Sequence, residues 1–183
     1  MMNKPCGYVC SAVSDSHKTV YELLSPELQE LVQNAKRGSR LHTVGRLDCD
    51  TSGLLLFTTD GKFSNTLTRP ESKITKQYMV TLQTPINRTV FKEYQNKLNQ
   101  GIILPAEKKA PEQLCSNAGL KYMSPDKCCI TISEGKFHEV RRIFQALENH
   151  VIALERIAIG NIKLPADLKP GEYRILQQPF SML

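Results

Sequence analysis

The residues best suited to chemistry lie in one short polar segment between apolar stretches. Residues 45–53, Gly-Arg-Leu-Asp-Cys-Asp-Thr-Ser-Gly, include one cation, two carboxylates, two hydroxyls and two glycines. Carboxylates in such a loop can serve as nucleophiles or as general acids and bases. The simplest interpretation is a polar β-turn with an Asx-type hydrogen bond, which is what most aspartate-rich loops form. A more specific function therefore depends on residues at defined spacings around this segment.

A calcium-binding loop is one such function, and the segment matches part of it. The first, third, fifth and sixth positions of that loop correspond to Asp48, Asp50, Ser52 and Gly53. The twelfth position is Thr59, where the loop needs a glutamate that binds calcium through both oxygens. The sequence therefore excludes this type of calcium site.

A phosphatase of the haloacid dehalogenase type is a second interpretation of the pair Asp48-x-Asp50. In those enzymes an apolar strand precedes an aspartyl nucleophile, and Thr or Val stands two residues beyond the second aspartate. Here Ser52 takes that last position, and residues 43–46 are a poor buried strand. A magnesium-dependent phosphatase is therefore kept only as an outside alternative.

The composition is that of a soluble globular protein with a basic surface. Apolar residues make up 40% and charged residues 23% of the chain, and the formal net charge is +6. Clustered lysines and arginines bind polyanions by releasing counterions. The apolar stretch Leu54–Phe57 is far shorter than the roughly 20 residues of a membrane helix, and Met1–Pro5 does not open a secretory signal. We therefore expect a cytoplasmic protein with a polyanionic partner and no membrane contact.

The cysteines and histidines predict neither disulfides nor a metal site. The six cysteines include no C-x-x-C pair, and no export signal accompanies them, so reduced thiols are expected. The four histidines do not lie at zinc-ligand spacing from any cysteine pair. We therefore expect no bound metal.

Hydrophobic periodicity and turn residues divide the chain into elements. Helices are predicted over Pro26–Lys36, Lys62–Thr68, Asn87–Asn99 and Phe137–Glu148. Strands are predicted over Gly7–Val13, Gly53–Thr59, Thr75–Leu82, Lys127–Ser133 and Val151–Ile159, with a last short strand within Leu164–Leu176. Glu107–Pro125 is the stretch with the most loop-like composition. Because helices and strands interleave irregularly, we expect a single α+β domain over residues 1–183 with a mostly antiparallel sheet.

The helix predicted over Phe137–Glu148 has a polar face as well as an apolar one. Its apolar face consists of Phe137, Val140, Phe144 and Leu147. The i, i+3, i+4, i+7 spacing places four polar residues on another face, namely His138, Arg141, Arg142 and Gln145. This second face is a candidate to carry functional side chains.

Ordered motifs extend along nearly the whole chain. They are Asn3–Ser11, Gly45–Asp48, Gly53–Leu56, Thr59–Gly61, Lys76–Val80, Ile132–Arg142, Leu154–Arg156, Ile159–Gly160 and Pro170–Arg174. In this order they resemble the motifs of the RsuA-type pseudouridine synthases, which modify small-subunit ribosomal RNA, and of their large-subunit relatives. The first motif is similar to the family's Asn-Lys-Pro-x-Gly opening, and the next three are similar to its signature.

The resemblance implies both a fold and a reaction. The implied α+β fold has a mostly antiparallel mixed central sheet flanked by helices and loops, with an active-site cleft across it. The implied reaction cleaves the N1–C1′ glycosidic bond of a uridine, turns the uracil and joins its C5 to C1′. This isomerisation requires no cofactor and no metal.

Three catalytic residues follow from the resemblance. Asp48 is the implied essential carboxylate, acting either as a nucleophile toward the ribose or as the base that abstracts a ribose proton. Arg141 is the implied cation that pairs with Asp48 and keeps it ionised, although it could instead bind a phosphate. Tyr78 is implied to stack on the target base and to help remove the C5 proton.

The resemblance also implies contacts with RNA. Arg46 matches the residue expected to enter the stack when the target uridine is flipped out of the helix. Phosphate contacts that do not read sequence are expected from further basic residues, namely Lys36, Arg37, Arg40, His138, Arg142 and Arg156. Taken one at a time, each of these is more often a solvated surface charge.

Two features depart from the family pattern. Glu139 stands where relatives usually have glutamine, which places a carboxylate beside His138 and Arg141 in the sequence. Relatives also carry a small basic RNA-binding S4 domain upstream of the opening motif, whereas this chain starts at that motif. If the protein lacks this module, substrate docking must rely more on the catalytic domain or on a preassembled ribonucleoprotein particle, and we then expect weak binding to naked RNA.

The expected function is isomerisation of one uridine in 16S ribosomal RNA. The segments most similar to the small-subunit enzymes are Ile132–Arg142 and Gly160–Leu176. The alternatives are the same reaction on 23S or transfer RNA, and an inactive RNA-binding ribosome-assembly factor, against which the set Arg46, Asp48, Tyr78 and Arg141 argues. The expected partner is this RNA or a small-subunit assembly particle, and the expected state is a monomer.

Overall fold

The computed structural model describes residues 1–14, 16–34, 36, 38–116 and 118–176. The chain divides into two compact units by its internal contacts. Unit 1 contains residues 1–74 and the described residues from 155 onward, and unit 2 contains residues 75–154. The strand Val151–Ile159 contributes residues to both units.

Helices and strands interleave irregularly along the described chain. The strands are β1 (Met2–Lys4), β2 (Tyr8–Val9), β3 (Lys18–Thr19), β4 (His42–Thr43), β5 (Thr51–Leu55), β6 (Phe57–Thr58), β7 (Lys76–Leu82), β8 (Ile102–Leu104), β9 (Gln113–Cys115), β10 (Gly119–Ser124), β11 (Lys127–Ile132), β12 (Val151–Ile159) and β13 (Ile162–Lys163). The α-helices are α1 (Pro26–Gln33), α2 (Gly61–Thr68), α3 (Arg88–Gln100) and α4 (Glu139–Ala146). Short 3-10 helices lie at Val20–Leu23 and Pro70–Ser72.

In unit 1 the strand β5 lies between β1 and β12. β1 is antiparallel to β5, with Asn3 opposite Leu54, and β13 pairs antiparallel with β12. The core around β5 is formed by Val44, Leu54, Leu56, Leu67, Ile74, Ile159 and Ile162. The polar segment of residues 45–53 therefore leads directly into β5, whose Leu54 belongs to this core.

In unit 2 the strand order is β12, β7, β11 and β10. Asn87 caps the start of α3, where its side chain accepts the first free N–H groups of the helix, and Gly101 follows the last helical residue. Phe91 of α3 packs edge-on against Tyr122 of β10 at a ring-centroid distance of 5.3 Å. Tyr94 packs in the same way against Phe144 of α4 at 6.4 Å. These aromatic contacts hold both helices in the core of unit 2.

The predicted α+β class with a mixed central sheet is confirmed, and the sheet has seven strands. All four predicted helices are present, with α4 shorter than expected at both ends. The longest helix among the described residues, α3, has 13 residues. None of the described helices combines the length and the apolarity that crossing a bilayer requires.

Two strand predictions and one loop prediction are wrong. Gly7–Val13 contains only the two-residue strand β2, because Gly7 adopts φ +87° and its N–H binds the carbonyl of Cys49. Glu107–Pro125 holds β9 and β10, which are stabilised by pairing with β8 and β11. Among the residues that the structure describes, the last strand is β13, which precedes the predicted range Leu164–Leu176. Within that range, Tyr173 makes an isolated bridge to Met2.

Candidate active site

The ammonium group of Lys4 holds the backbone of the polar segment. Lys4 is fully buried, with 0% of its surface exposed. Its Nζ donates to three carbonyl oxygens of the segment, those of Asp48 (3.0 Å), Cys49 (3.4 Å) and Thr51 (2.7 Å). Burial lowers the pKa of Lys4, but only the protonated amine offers three N–H donors to these acceptors. The turn that carries Asp48 is therefore built around a buried cation.

The chain that follows Lys4 makes further bonds to the same segment. The N–H of Gly7 donates to the carbonyl of Cys49 at 2.8 Å. The Cys10 thiol donates to the carbonyl of Leu47 at 3.5 Å and accepts the N–H of Leu47 at 3.4 Å. The residues on both sides of Asp48 are thus attached to the N-terminal motif.

Gly53 ends the segment where two backbones come very close. It has φ +99°, and a Cβ placed on it would lie 2.3 Å from the carbonyl oxygen of Arg156 and 2.7 Å from its nitrogen. Real Cβ atoms do not approach backbone atoms at such distances, and positive φ disfavours any side chain. Glycine is therefore the residue that lets β5 continue beside β12.

Asp48 lies in the turn between β4 and β5. Its carbonyl accepts the N–H of Thr51 at 3.1 Å, so the backbone forms the polar turn that the sequence predicts. Asp48 is partly exposed, whereas Thr51 is 1% exposed. The carboxylate is thus carried on a turn whose backbone is fixed from the buried side.

The other two catalytic candidates, Tyr78 and Arg141, belong to unit 2. Tyr78 lies on β7 opposite Ile130 of β11 and is 9% exposed. Arg141 lies in the first turn of α4, and its Nη1 donates to the carbonyl of Val151 at 3.0 Å. This bond connects α4 to the start of β12.

The assignment of Arg142 to phosphate binding is wrong, because its guanidinium is buried and is used within the fold. Arg142 is 1% exposed. Its Nε donates to Pro105 O at 2.9 Å, its Nη2 to Pro111 O at 2.5 Å and its Nη1 to Phe137 O at 3.2 Å. Arg142 therefore attaches the loop between β8 and β9 to α4.

The assignment of Arg156 to phosphate binding is also wrong. Arg156 is 3% exposed, and its Nε donates to the carbonyl of Leu54 at 2.8 Å. Its Nη2 is buried and has no hydrogen-bond partner among the described residues. A side chain this enclosed links β12 to β5 and has no surface to offer a phosphate.

The remaining RNA-binding candidates are more accessible. Arg46, Lys36 and Arg40 are exposed. The Nδ1 of His138 lies 3.0 and 3.1 Å from the carboxylate oxygens of Glu107, so His138 makes an ion pair when it is protonated. Arg37 lies outside the described residues.

Glu139 lies in a buried polar cluster of unit 2. The ligand atoms of Cys115, Glu134 and Glu139 lie within 4.8 Å of one another. The Cys115 thiol donates to Glu139 at 3.7 Å, and burial together with this carboxylate raises the pKa of Cys115 to about 12. Lys136 supplies the positive charge, because its ammonium pairs with Glu134 and donates to the carbonyl of Leu114 at 2.8 Å. The backbone N–H of Lys136 donates to the Glu139 carboxylate at 3.0 Å, so the two side-chain pairs form one cluster with its own cation.

The roles of Lys4 and Gly53 in building the site were not predicted from the sequence. Both residues are visible in the motifs Asn3–Ser11 and Gly53–Leu56, so a signal was available. What the motifs do not reveal is that Lys4 binds the backbone of residues 48–51.

Comparison with known proteins places these features in a family. Residues 1–146 match the family model described as RNA pseudouridylate synthase. The Escherichia coli K12 protein named ribosomal small subunit pseudouridine synthase A is 40% identical over 178 residues, which are 97% of this chain and 70% of that protein. The protein of the same name from Vibrio cholerae is 41% identical over 179 residues, with the same shares of both chains.

A solved structure agrees with these relatives. The crystal structure of a pseudouridylate synthase superimposes with a TM-score of 0.81 and 38% sequence identity, over 96% of this chain and 68% of that chain. This superposition covers 96% of the chain and so includes residues beyond 146, where the family model ends. By sequence and by fold, this chain belongs to the RNA pseudouridylate synthase family.

Proposed function

We propose that this protein isomerises one uridine of 16S ribosomal RNA to pseudouridine, with Asp48 as the essential carboxylate. The observation that carries the proposal is the attachment of the Asp48 turn to the buried Lys4 in a member of this family. A reacting group must be held within about 0.5 Å of its productive position. The 16S target is supported by relatives named as small-subunit enzymes at about 40% identity.

In the proposed reaction the N1–C1′ bond of the uridine breaks and a C5–C1′ bond forms. The C5 proton is lost to solvent, and a proton is regained at N1, so the composition of the RNA does not change. Asp48 acts either as the nucleophile at the ribose or as the base that takes a ribose proton. The hydrogen bonds of the Asp48 backbone fix the turn, and the carboxylate is the group that takes part in the reaction.

The other proposed roles follow the family assignment. Arg141 keeps Asp48 ionised, Tyr78 stacks on the target base, and Arg46 enters the stack that the flipped uridine leaves. The exposure of Arg46 supports its role, because an arginine that inserts into RNA must be accessible. Exposed Lys36 and Arg40 are suited to phosphate contacts.

The partner, the compartment and the oligomeric state are also proposed from the family membership. The partner is 16S RNA, either free or in a small-subunit assembly particle, and the enzyme acts as a cytoplasmic monomer. The family match over residues 1–146 includes residues of both units, which supports one catalytic domain.

Tritium release tests the proposed reaction directly. The substrate is 16S RNA labelled with 5-³H-uridine, supplied free and in a partly assembled small-subunit particle, without added metal. Wild type is compared with Asp48→Asn and with Asp50→Asn, a neighbouring change of the same chemistry at an exposed residue. We expect tritium loss with the wild type and Asp50→Asn, and none with Asp48→Asn.

Other outcomes distinguish the alternatives. Release from 23S or transfer RNA, but not from 16S RNA, would replace the target and keep the reaction. Activity of Asp48→Asn equal to that of wild type would contradict the role of Asp48. If the wild type binds RNA but releases no tritium from 16S, 23S or transfer RNA, an inactive assembly factor would be favoured.

A further inference from the structure

A tight turn in unit 2 presents two adjacent lysines to solvent. Glu107 and Ala110 exchange backbone hydrogen bonds of 2.8 and 2.9 Å and so close the turn between β8 and β9. Lys108 and Lys109 are its two central residues, and both are exposed. Because the turn is closed by two backbone bonds, both ammonium groups extend from one defined place.

Arg142 attaches this turn to α4 from the buried side. Its guanidinium donates to the carbonyl of Pro105, before the turn, and to the carbonyl of Pro111, after it. A third bond reaches the carbonyl of Phe137, next to the start of α4. Bonds from a charged, planar guanidinium are strong and directional. The lysine turn and α4 therefore form one rigid piece of unit 2.

A second attachment engages the acidic residue of the turn. The carboxylate of Glu107 lies 3.0 and 3.1 Å from Nδ1 of His138, which immediately precedes α4. Within the described chain, neither Lys108 nor Lys109 makes an ion pair. Glu112, the other carboxylate of this loop, is exposed and lies beyond Pro111. The two ammonium groups are thus available to an external anion.

We propose that Lys108 and Lys109 are a docking site for the RNA backbone, with each lysine binding a phosphate of the substrate. This inference rests on the proposed function and goes beyond it by assigning the substrate a contact outside the catalytic residues. Lysine binds phosphate as a point charge, so the contact is independent of base sequence. Since Arg142 follows Arg141 in α4, the docked phosphates would be held in a fixed relation to Arg141.

Salt-dependent binding is the measurement that tests the site. The double variant Lys108→Gln, Lys109→Gln is compared with the control Lys92→Gln, Lys97→Gln, which removes the same charge from exposed positions of α3. Filter binding of a 16S RNA transcript over a salt series measures Kd. Losing two phosphate contacts should reduce the slope of log Kd against log salt by about 1.4 to 1.8, and should raise Kd at 0.15 M salt by roughly tenfold or more.

Tritium release from the same transcript supplies the second readout. At saturating RNA, kcat of the Lys108, Lys109 double variant should stay within about twofold of wild type, because docking precedes chemistry. Equal salt slopes for the two double variants would overturn the docking site. A slope difference without tritium release by the wild type would support the docking site and contradict the proposed reaction. Tritium release by the wild type without a slope difference would support the proposed reaction and contradict the docking site.

Discussion

The Nζ atom of Lys4 lies 3.0 Å from the backbone carbonyl oxygen of Asp48, and Lys4 is completely buried. The N-terminal motif and the polar segment, 44 residues apart in sequence, are thus joined at the candidate catalytic residue itself. The Lys4 ammonium donates to the backbone oxygens of Pro5, Asp48, Cys49 and Thr51. Lys4 is therefore a positioning residue for the turn.

Replacing Lys4 by methionine tests this positioning role. Lys4→Met fills a similar volume but removes the ammonium donor from the carbonyls of residues 48, 49 and 51, of which those of Asp48 and Cys49 keep one backbone N–H donor. We expect a loss of about 3 kcal/mol in the free energy of unfolding, since buried acceptors would lose a charged donor. The displaced turn should also lower kcat/KM by roughly 100-fold. Urea unfolding and tritium release measure the two effects.

The matched control for this change is Lys62→Met. Lys62 is exposed in the first turn of α2, so the same loss of charge should cost little stability. If Lys4→Met were as stable and as active as Lys62→Met, the bonds of Lys4 would have no positioning role.

Gly53→Ala tests the close approach of β5 and β12. The added methyl group would lie 2.3 Å from the carbonyl oxygen of Arg156, at a residue with φ +99°. We expect about 3 kcal/mol of destabilisation from the strained φ and the forced backbone shift together. Gly61→Ala is the control, because nothing lies within 4 Å of its Cβ position at the start of α2. It should leave stability unchanged or raise it by up to about 1 kcal/mol. Equal effects in urea unfolding would disprove the close approach.

Arg142→Lys tests the attachment of the β8–β9 loop to α4. A lysine keeps the charge but cannot donate to three carbonyls in the geometry of a guanidinium, so the variant should lose about 3 kcal/mol. Arg40→Lys, the same change at an exposed residue, should stay within about 0.5 kcal/mol of wild type. Hydrogen exchange of residues 105–111 provides a local readout, with faster exchange expected in Arg142→Lys only. Unchanged exchange there would contradict the attachment.

Glu139→Gln tests the buried carboxylate through pH. Burial raises the pKa of Glu139 above its usual value of 4.5. The folded state therefore binds the carboxyl proton of Glu139 more tightly than the unfolded state does. The stability that this bound proton contributes is lost as pH rises from about 4.5 through the raised pKa. A neutral glutamine has no such loss. Relative to wild type, Glu139→Gln should thus gain stability between pH 5 and pH 8.

The control for this pH effect is Glu93→Gln at an exposed position of α3. Its stability difference from wild type should not change over the same pH range. Parallel pH curves for wild type and Glu139→Gln in thermal unfolding would show that burial does not affect the Glu139 carboxylate.

Several elements could be predicted from the sequence because their signals are local. Asn87 caps the start of α3, Gly101 follows its last helical residue, and β12 has the predicted bounds Val151–Ile159. The polar segment and the motifs around it also identified the family, because they are ordered along one chain. Such features depend on residues a few positions apart, which a linear sequence displays directly.

Which cations are buried was decided by the tertiary structure alone. Arg142 has the helical spacing of an exposed polar face, yet it binds Pro105, 37 residues away, and Arg156 binds Leu54, 102 residues away. Lys4 is likewise buried against the turn of Asp48. Burial of a charge depends on whether distant carbonyls converge on it. That convergence is a property of the folded chain and leaves no local pattern in the sequence.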